Sequence, residues 1–223
     1  MKTHKVKILE TFFVTHDVKS FIVERPESYE FKPGQATEVA INKQGWEDKG
    51  RPFTFTSLPE DKFLQFVIKT YPSHEGVTNE MLKLDVGDEL ILHDVFGAIT
   101  YQGKGSFIAG GAGVTPFIAI FRNLQKDGGL IGNRLVFANK TRDDIILEKE
   151  FAGMLGKNFI NILSDEKADG YHHGMLNKGF LEKHITGHTG KFYVCGPPKM
   201  NDTVVNHLTD LGIPDSSIVL EEM

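Results

Sequence analysis

The chain has 223 residues, a formal net charge of −5, 40% hydrophobic and 25% charged residues, and one cysteine. That composition belongs to a folded globular protein long enough to bury a core, not to a disordered chain. The acidic balance argues against nucleic-acid binding, Cys195 has no partner for an internal disulfide, and no apolar run approaches a membrane span. The N-terminal residues MKTHKVKILETFF lack a signal-like apolar region, so the sequence predicts a cytoplasmic protein.

The first hundred residues read as strands. Residues 4–15, 18–25, 35–42, 53–57, 62–70 and 88–94 are short runs rich in β-branched and aromatic side chains, separated by turn signals such as KPG, PEDK and VGD. Strands at this spacing predict an antiparallel barrel or sandwich. One helical stretch, GVTNEMLKL at 76–84, interrupts them, with Thr78 as its expected N-cap.

After Gly103 the rhythm changes to strand–helix alternation, which predicts βαβ units and a parallel sheet. The expected strands are 105–110, 133–139, 158–164, 191–196 and 216–220, and the expected helices 115–127, 143–155, 174–185 and 198–211. This places a domain boundary in the YQGKGS turn, dividing the chain into 1–103 and 104–223. His172 and His173 read as a surface turn.

FIAGGAGVTPF carries a strand through glycines into a helix, with Thr115 as the expected N-cap and Pro116 as the first helical residue. Gly111 and Gly113 match part of a dinucleotide-binding fingerprint, but Pro116 stands where its third glycine belongs. Taken alone, the loop is equally a phosphate cradle or a tight turn with no ligand. A second loop, CGPP at 195–198, ends the fourth parallel strand. If strand order reverses at the first parallel strand, the two loops become neighbours at the carboxyl ends, where open α/β sheets bind ligands.

The barrel, RPFTFTS at 51–57, GGAGVTPF and CGPP together resemble the ferredoxin–NADP reductase-like flavoproteins over essentially the whole chain. The resemblance implies an N-terminal antiparallel flavin-binding β-barrel followed by a five-stranded parallel Rossmann-like nicotinamide-nucleotide domain. It also implies FAD rather than FMN, and NADH or NADPH as co-substrate. The family's flavin signature, Arg-x-aromatic-Ser/Thr-x-x-Ser, falls on Arg51, Phe53, Thr54 and Ser57, with Pro52 between. By the resemblance Arg51 pairs with phosphate, Phe53 lies on the isoalloxazine ring, and the Thr54 hydroxyl sits by its N5. Arg51 and Phe53 share a strand face and Thr54 has the other, so a local break must aim Thr54. Phe53 stands where the family usually has Tyr, which removes a phenol.

The resemblance further places Ile68, Lys69 and Thr70 at the ring edge, and Gly76, Val77 and Thr78 on the pyrophosphate. HDVFG at 93–97 matches the family's barrel-closing stretch. Gly111, Gly113, Thr115, Asn139, Ser164, Asp165, Cys195, Gly196, Pro197 and Met200 fall on the nicotinamide nucleotide, with Cys195 lining the pocket where hydride is transferred. Glu221 matches the family's C-terminal acid, although no aromatic follows it. Asp165 and Glu166 after Ser164 would repel a 2′-phosphate, which favours NADH, while Lys140, Arg142 and Lys167 lie close enough to favour NADPH.

No metal site is expected, since a lone cysteine has no second ligand at useful spacing. Without cysteines for an iron–sulfur centre or length for a haem domain, the electron acceptor is expected to be separate. A ferredoxin, a flavodoxin, an oxygenase component or a small oxidant would serve. Two other readings stand beside the reductase. One is a flavin-binding electron-transfer subunit of a larger complex; the other is a non-catalytic ligand-binding or sensing module on the same fold.

Overall fold

In the computed structural model, residues 3–71, 75–97, 99–185 and 190–221 are described. Glu222 and Met223, like Pro72–His74 in the expected second flavin segment, lie outside them. The chain forms two compact units. The first takes residues up to Thr100 together with Thr115–Asn123; the second takes Tyr101–Val114 and the chain from Leu124 onward.

The first unit is antiparallel. Its strands are β1 (His4–Thr15), β2 (Val18–Glu24), β3 (Ala36–Ile41), β4 (Arg51–Thr54), β5 (Phe63–Lys69) and β6 (Glu89–Phe96), ordered β4-β3-β6-β1-β2-β5. β1 serves two neighbours. His4–Lys7 pair with β6, and from Ile8 onward the strand pairs with β2. The register slips between Ile8 and Glu10, a bulge that leaves Leu9 exposed and bends the strand from one partner to the other.

The expected strand at 53–57 instead begins at Arg51 and ends at Thr54. Pairing changes there: Phe55 N–H donates to Gln35 O (3.0 Å), and Thr56 N–H donates to Gln65 O (2.8 Å). Gln65 N–H then donates to Ser57 Oγ (3.0 Å). These bonds join the two ends of the strand order and close the barrel. Phe55 fills its centre, stacked on Phe31 at 4.3 Å and tilted against Phe66 at 5.3 Å.

Residues 115–123 pack on this barrel as part of helix α2 (Thr115–Lys126). Arg122 Nη1 donates to Thr56 O and to Gln65 Oε1, both at 2.7 Å, across the closing seam. Gly34, at φ +91°, admits the close approach of Ile99 O, which a Cβ would meet at 1.8 Å. The short helix α1 (Val77–Met81) has Gly76 as N-cap, not Thr78, because Asn79 and Glu80 N–H both donate to Gly76 O.

The second unit is a parallel sheet of β7 (Gly105–Gly110), β8 (Arg134–Asn139), β9 (Phe159–Leu163), β10 (His172–His173), β11 (Lys191–Cys195) and β12 (Ile218–Leu220). The order is β10-β9-β8-β7-β11-β12, so strand order reverses between β7 and β11 as the loop argument required. One face, with Ile108, Val136, Ile162 and Val194, packs on α4 (Lys178–Ile185) and α5 (Pro198–Asp210) through Leu181, Ile185, Val204 and Leu208. Phe137, on the opposite face, meets Phe151 of α3 (Glu148–Leu155) edge-on at 6.5 Å.

The sixth strand corrects the reading of His172–His173 as a turn. The pair forms a parallel ladder with Ile162–Leu163, and the His172 ring packs 4.5 Å from His184 and 5.3 Å from Phe180. Two residues are too few to show a strand period in sequence. The expected helix 143–155 also divides. A 3₁₀ turn at Arg142–Asp144 is followed by buried Ile145 and Ile146, and Leu147 at φ +52° precedes α3.

Candidate flavin and nicotinamide sites

In the first unit, β4 alternates as its parity requires. The Arg51 side chain is exposed, with Nη1 donating only locally, to Gly50 O (2.8 Å). Pro52 is exposed, Phe53 is half-buried against the barrel core, and Thr54 is buried opposite Ala36. The pairing changes partner only after Thr54, the last residue of β4, at Phe55 and Thr56. Ser57 is buried, and its hydroxyl is engaged by Gln65 N–H, so in this structure it holds the barrel seam.

Ile68 is buried opposite Lys19, and Lys69 lies opposite Val18 with Nζ 2.7 Å from Asp17 Oδ2. Thr70 donates both its N–H (2.7 Å) and its hydroxyl (2.8 Å) to Asp17 O. Any backbone contact from Thr70 to a ligand therefore falls to its carbonyl. At α1, the amides of Val77 and Thr78 precede the first intrahelical donor, and Gly76 supplies no side-chain cap.

Sequence reasoning missed Lys19, Gln65 and Arg122. Lys19 is buried, and its ammonium donates to Leu82 O (3.2 Å) and Leu84 O (2.6 Å) just beyond α1. Burial lowers its pKa, while Asp85 and Asp88 act in the opposite direction. The unbroken burial of Val18–Phe21 hides it, since an alternating strand would put a lysine outside.

In the second unit, β7 runs into a 3₁₀ turn over Gly111–Val114. Helix α2 therefore begins at Thr115, one residue before the expected start at Pro116. The glycines have separate tasks. Gly111 takes φ +52° with open space where a Cβ would stand. A Cβ on Gly113 would lie 2.2 Å from Cys195 O, so this glycine lets the two loops touch. Gly110 and Gly196 both accommodate Met200, which a Cβ would meet at 2.3 and 2.5 Å. Pro197 is the N-cap of α5.

Cys195 is buried at the end of β11 with Sγ 3.5 Å from Glu221 Oε2. Burial pushes the thiol far above its ordinary pKa, and the Glu221 carboxylate adds to the shift. Asn139, the last residue of β8, is 8% exposed, and neither carboxamide atom has a partner among the described residues. Around it, Ser164 Oγ donates to Asp165 Oδ1 (2.6 Å), and Arg142 N–H donates to Glu166 Oε2 (2.7 Å). The Arg142 guanidinium stacks 5.5 Å from the Tyr171 ring and approaches Glu148 Oε2 at 4.0 Å.

A closed antiparallel barrel followed by a parallel sheet that reverses at a glycine loop defines the two-part flavin and nicotinamide-nucleotide oxidoreductases. Residues 107–206 match the family model described as the oxidoreductase NAD-binding domain. Over the whole chain the fold is that of the ferredoxin reductase-like proteins.

It is 29% identical to NADH–cytochrome b5 reductase 1 of Arabidopsis thaliana, over 92% of this chain and 79% of that protein. It is 27% identical to the reductase component of propane 2-monooxygenase from Mycolicibacterium goodii, over 92% of this chain and 63% of the relative. Among solved structures, the flavohem-like FAD/NAD-binding domain of nitric oxide dioxygenase from Vibrio cholerae O1 biovar El Tor superimposes with a TM-score of 0.85. The identity is 22%, and 96% of each chain is covered. Among the described residues, no helix is long and apolar enough to cross a membrane.

Proposed function

We propose that this protein is a flavin-dependent NAD(P)H reductase that takes hydride from a nicotinamide nucleotide and passes electrons to a separate acceptor. The observation that carries the reading is the presence, in one chain, of the Arg51–Ser57 run at a barrel seam and an oxidoreductase NAD-binding domain at 107–206.

The residues present fit FAD. An exposed guanidinium at Arg51 suits a phosphate, the Phe53 ring is wide enough to lie on an isoalloxazine, and the Val77 and Thr78 amides have no intrahelical acceptor to compete with a pyrophosphate. When bound, FAD accepts a hydride and releases electrons one at a time. The protein contributes binding and orientation. Arg51 would neutralise phosphate charge, Phe53 would shield one face of the ring from water, and Thr54 would offer a hydroxyl to the bound flavin. Cys195 and Glu221 line the nicotinamide end, the thiol remaining protonated because it is buried beside a carboxylate.

The acceptor is a separate electron-transfer protein, such as a ferredoxin, a flavodoxin or an oxygenase component, or a small oxidant. The relatives' names support this breadth: one is a cytochrome b5 reductase, and another is the reductase component of a monooxygenase. NADH is the favoured donor, because Asp165 and Glu166 place negative charge beside Ser164.

Anaerobic stopped-flow mixing of the purified protein with NADH and with NADPH tests the reading. A yellow protein whose flavin absorbance bleaches within the mixing experiment supports it, with NADH the faster donor. Protein that takes up neither FAD nor FMN overturns it. Flavin that binds but is reduced by neither nucleotide favours the non-catalytic module.

A further inference from the structure

We propose that Lys19 is a positioning residue for FAD, its buried ammonium holding residues 76–84 in the alignment that the cofactor's pyrophosphate requires. This inference rests on the flavin reading of the first unit, which sets Gly76, Val77 and Thr78 beside the pyrophosphate. That reading by itself asks for no lysine on β2.

Taking an ammonium out of water is expensive unless its donors are satisfied, and a methionine of similar length would sit on β2 without that cost. Lys19 is nevertheless only 7% exposed. Its Nζ donates to Leu84 O (2.6 Å) and Leu82 O (3.2 Å), and lies 5.4 Å from the Phe21 ring and 5.7 Å from the Phe13 ring. Asp85 and Asp88 act to keep it charged.

The two carbonyls identify what is held. α1 ends at Met81 with Leu82 as its C-cap, and a helix end leaves carbonyls without backbone donors. Val77, Met81 and Leu84 bury their side chains in the barrel core and so keep the segment on the barrel. Apolar burial has no direction, whereas two hydrogen bonds to one ammonium fix how far the segment is rotated and advanced.

The start of β2 also holds the other half of the expected flavin segment. Lys19 stands opposite Ile68 in the β2–β5 ladder. Two residues earlier, Asp17 O accepts the Thr70 N–H (2.7 Å) and hydroxyl (2.8 Å), and Asp17 Oδ2 lies 2.7 Å from Lys69 Nζ. Residues 17–19 therefore tie Ile68–Thr70 and residues 76–84 to one short stretch of backbone. A flavin ring alone needs only the first of these segments in place, and FAD needs both at a fixed separation. The competing role is stability alone, in which Lys19 holds the barrel together without bearing on the ligand.

Fluorescence titration of the flavin-free full chain with FAD and with riboflavin, which has no phosphate, separates the two roles. Wild type, Lys19→Met and Lys19→Leu are compared, beside thermal melts and amide hydrogen exchange. Positioning predicts that both variants bind FAD about tenfold more weakly, the effect of one good hydrogen bond lost in the site, while riboflavin affinity stays within about twofold of wild type. Exchange should quicken over residues 77–84 and keep its wild-type rate across β2 and β5. Parallel losses of FAD and riboflavin affinity, unchanged affinity for both, or unchanged exchange over residues 77–84 each overturn the proposal. Failure of both variants to fold does the same and leaves Lys19 a structural residue. A wild type that holds riboflavin as tightly as FAD also overturns it, since the phosphates then contribute nothing. A wild type that binds neither flavin removes the flavin reading itself, and this inference with it.

Discussion

The Cys195 thiol donates to the Glu221 carboxylate across 3.5 Å. The contact follows from strand pairing: Val194 lies opposite Leu220 in the β11–β12 ladder, so the next residues on each strand stand side by side. Burial and then the carboxylate raise the thiol's folded-state pKa above its ordinary 9.0. An acid whose folded pKa is raised contributes stability that is complete below the unfolded pKa and is lost as pH rises beyond it. The unfolding free energy should therefore fall above pH 9.0, and fall less steeply in Cys195→Ala. Iodoacetamide should leave the native thiol essentially unmodified at about pH 8 and react faster with Glu221→Gln. Native alkylation as fast as that of a free cysteine would contradict the buried pairing.

The flavin assignment separates retention from reduction. Arg51→Ala removes a charge-assisted contact to phosphate, for which about 1.5–3 kcal/mol, or roughly ten- to a hundredfold in FAD affinity, is the expected loss. Thr54→Ala should keep FAD near the wild-type level and slow its reduction by NADH about tenfold, the effect of losing one ordinary hydrogen bond. Equilibrium dialysis of FAD and stopped-flow reduction read the two effects independently. If both variants retain and reduce flavin like wild type, the Arg51–Ser57 run is only a barrel strand.

Much of this arrangement was legible in the sequence because it is repetitive. The alternation of Val6 and Ile8 in β1, and the run FIAG in β7, carry the two periods that distinguish a barrel from a parallel sheet. The adjacency of Gly113 and Cys195 followed from assuming the reversal of strand order between β7 and β11. Features that depend on single long-range contacts were not legible. Nothing local says that Ser57 would meet Gln65, that Arg122 would reach 66 residues back to Thr56, or that Lys19 would cap carbonyls at Leu82 and Leu84. Gly76 displaced Thr78 as N-cap because the helix begins two residues earlier than a Thr78 cap allows. Asn139 was legible as a position but not as an orphaned amide, since only the surrounding loops reveal that its potential partners are taken.

Arg122 and Gln65 should stabilise the first unit as a coupled pair. The guanidinium donates to Thr56 O and Gln65 Oε1, while Gln65 Nε2 donates to Ser20 Oγ (3.1 Å), so one network ties α2, β2 and the barrel seam. Arg122→Met leaves two carbonyl-type acceptors without this donor and should cost about 1.5–3 kcal/mol, the range for hydrogen bonds to a charged group. In a double-mutant cycle with Gln65→Leu, urea unfolding should give a coupling energy of about 1 kcal/mol or more. Strict additivity would mean that the two side chains act separately.

The preference for NADH should reside in charge at the loops after β8 and β9. Glu166 is held by Arg142 N–H, and Arg142 itself stacks on Tyr171 near Glu148, so the arginine's charge is partly offset while a carboxylate stands beside Ser164. A 2′-phosphate entering there meets repulsion and no uncommitted arginine. Glu166→Gln keeps an oxygen to accept the Arg142 N–H and removes only the charge. The variant should lower the KM for NADPH by about two- to fivefold, as befits an exposed charge of roughly 0.5–1 kcal/mol, with the NADH constants unchanged. The effect should shrink as salt is raised, because exposed charges are screened over about 8–10 Å at ordinary ionic strength. A wild type that uses NADPH more efficiently than NADH would reverse the assignment and point instead to Arg142, Lys140 or Lys167 as a phosphate contact.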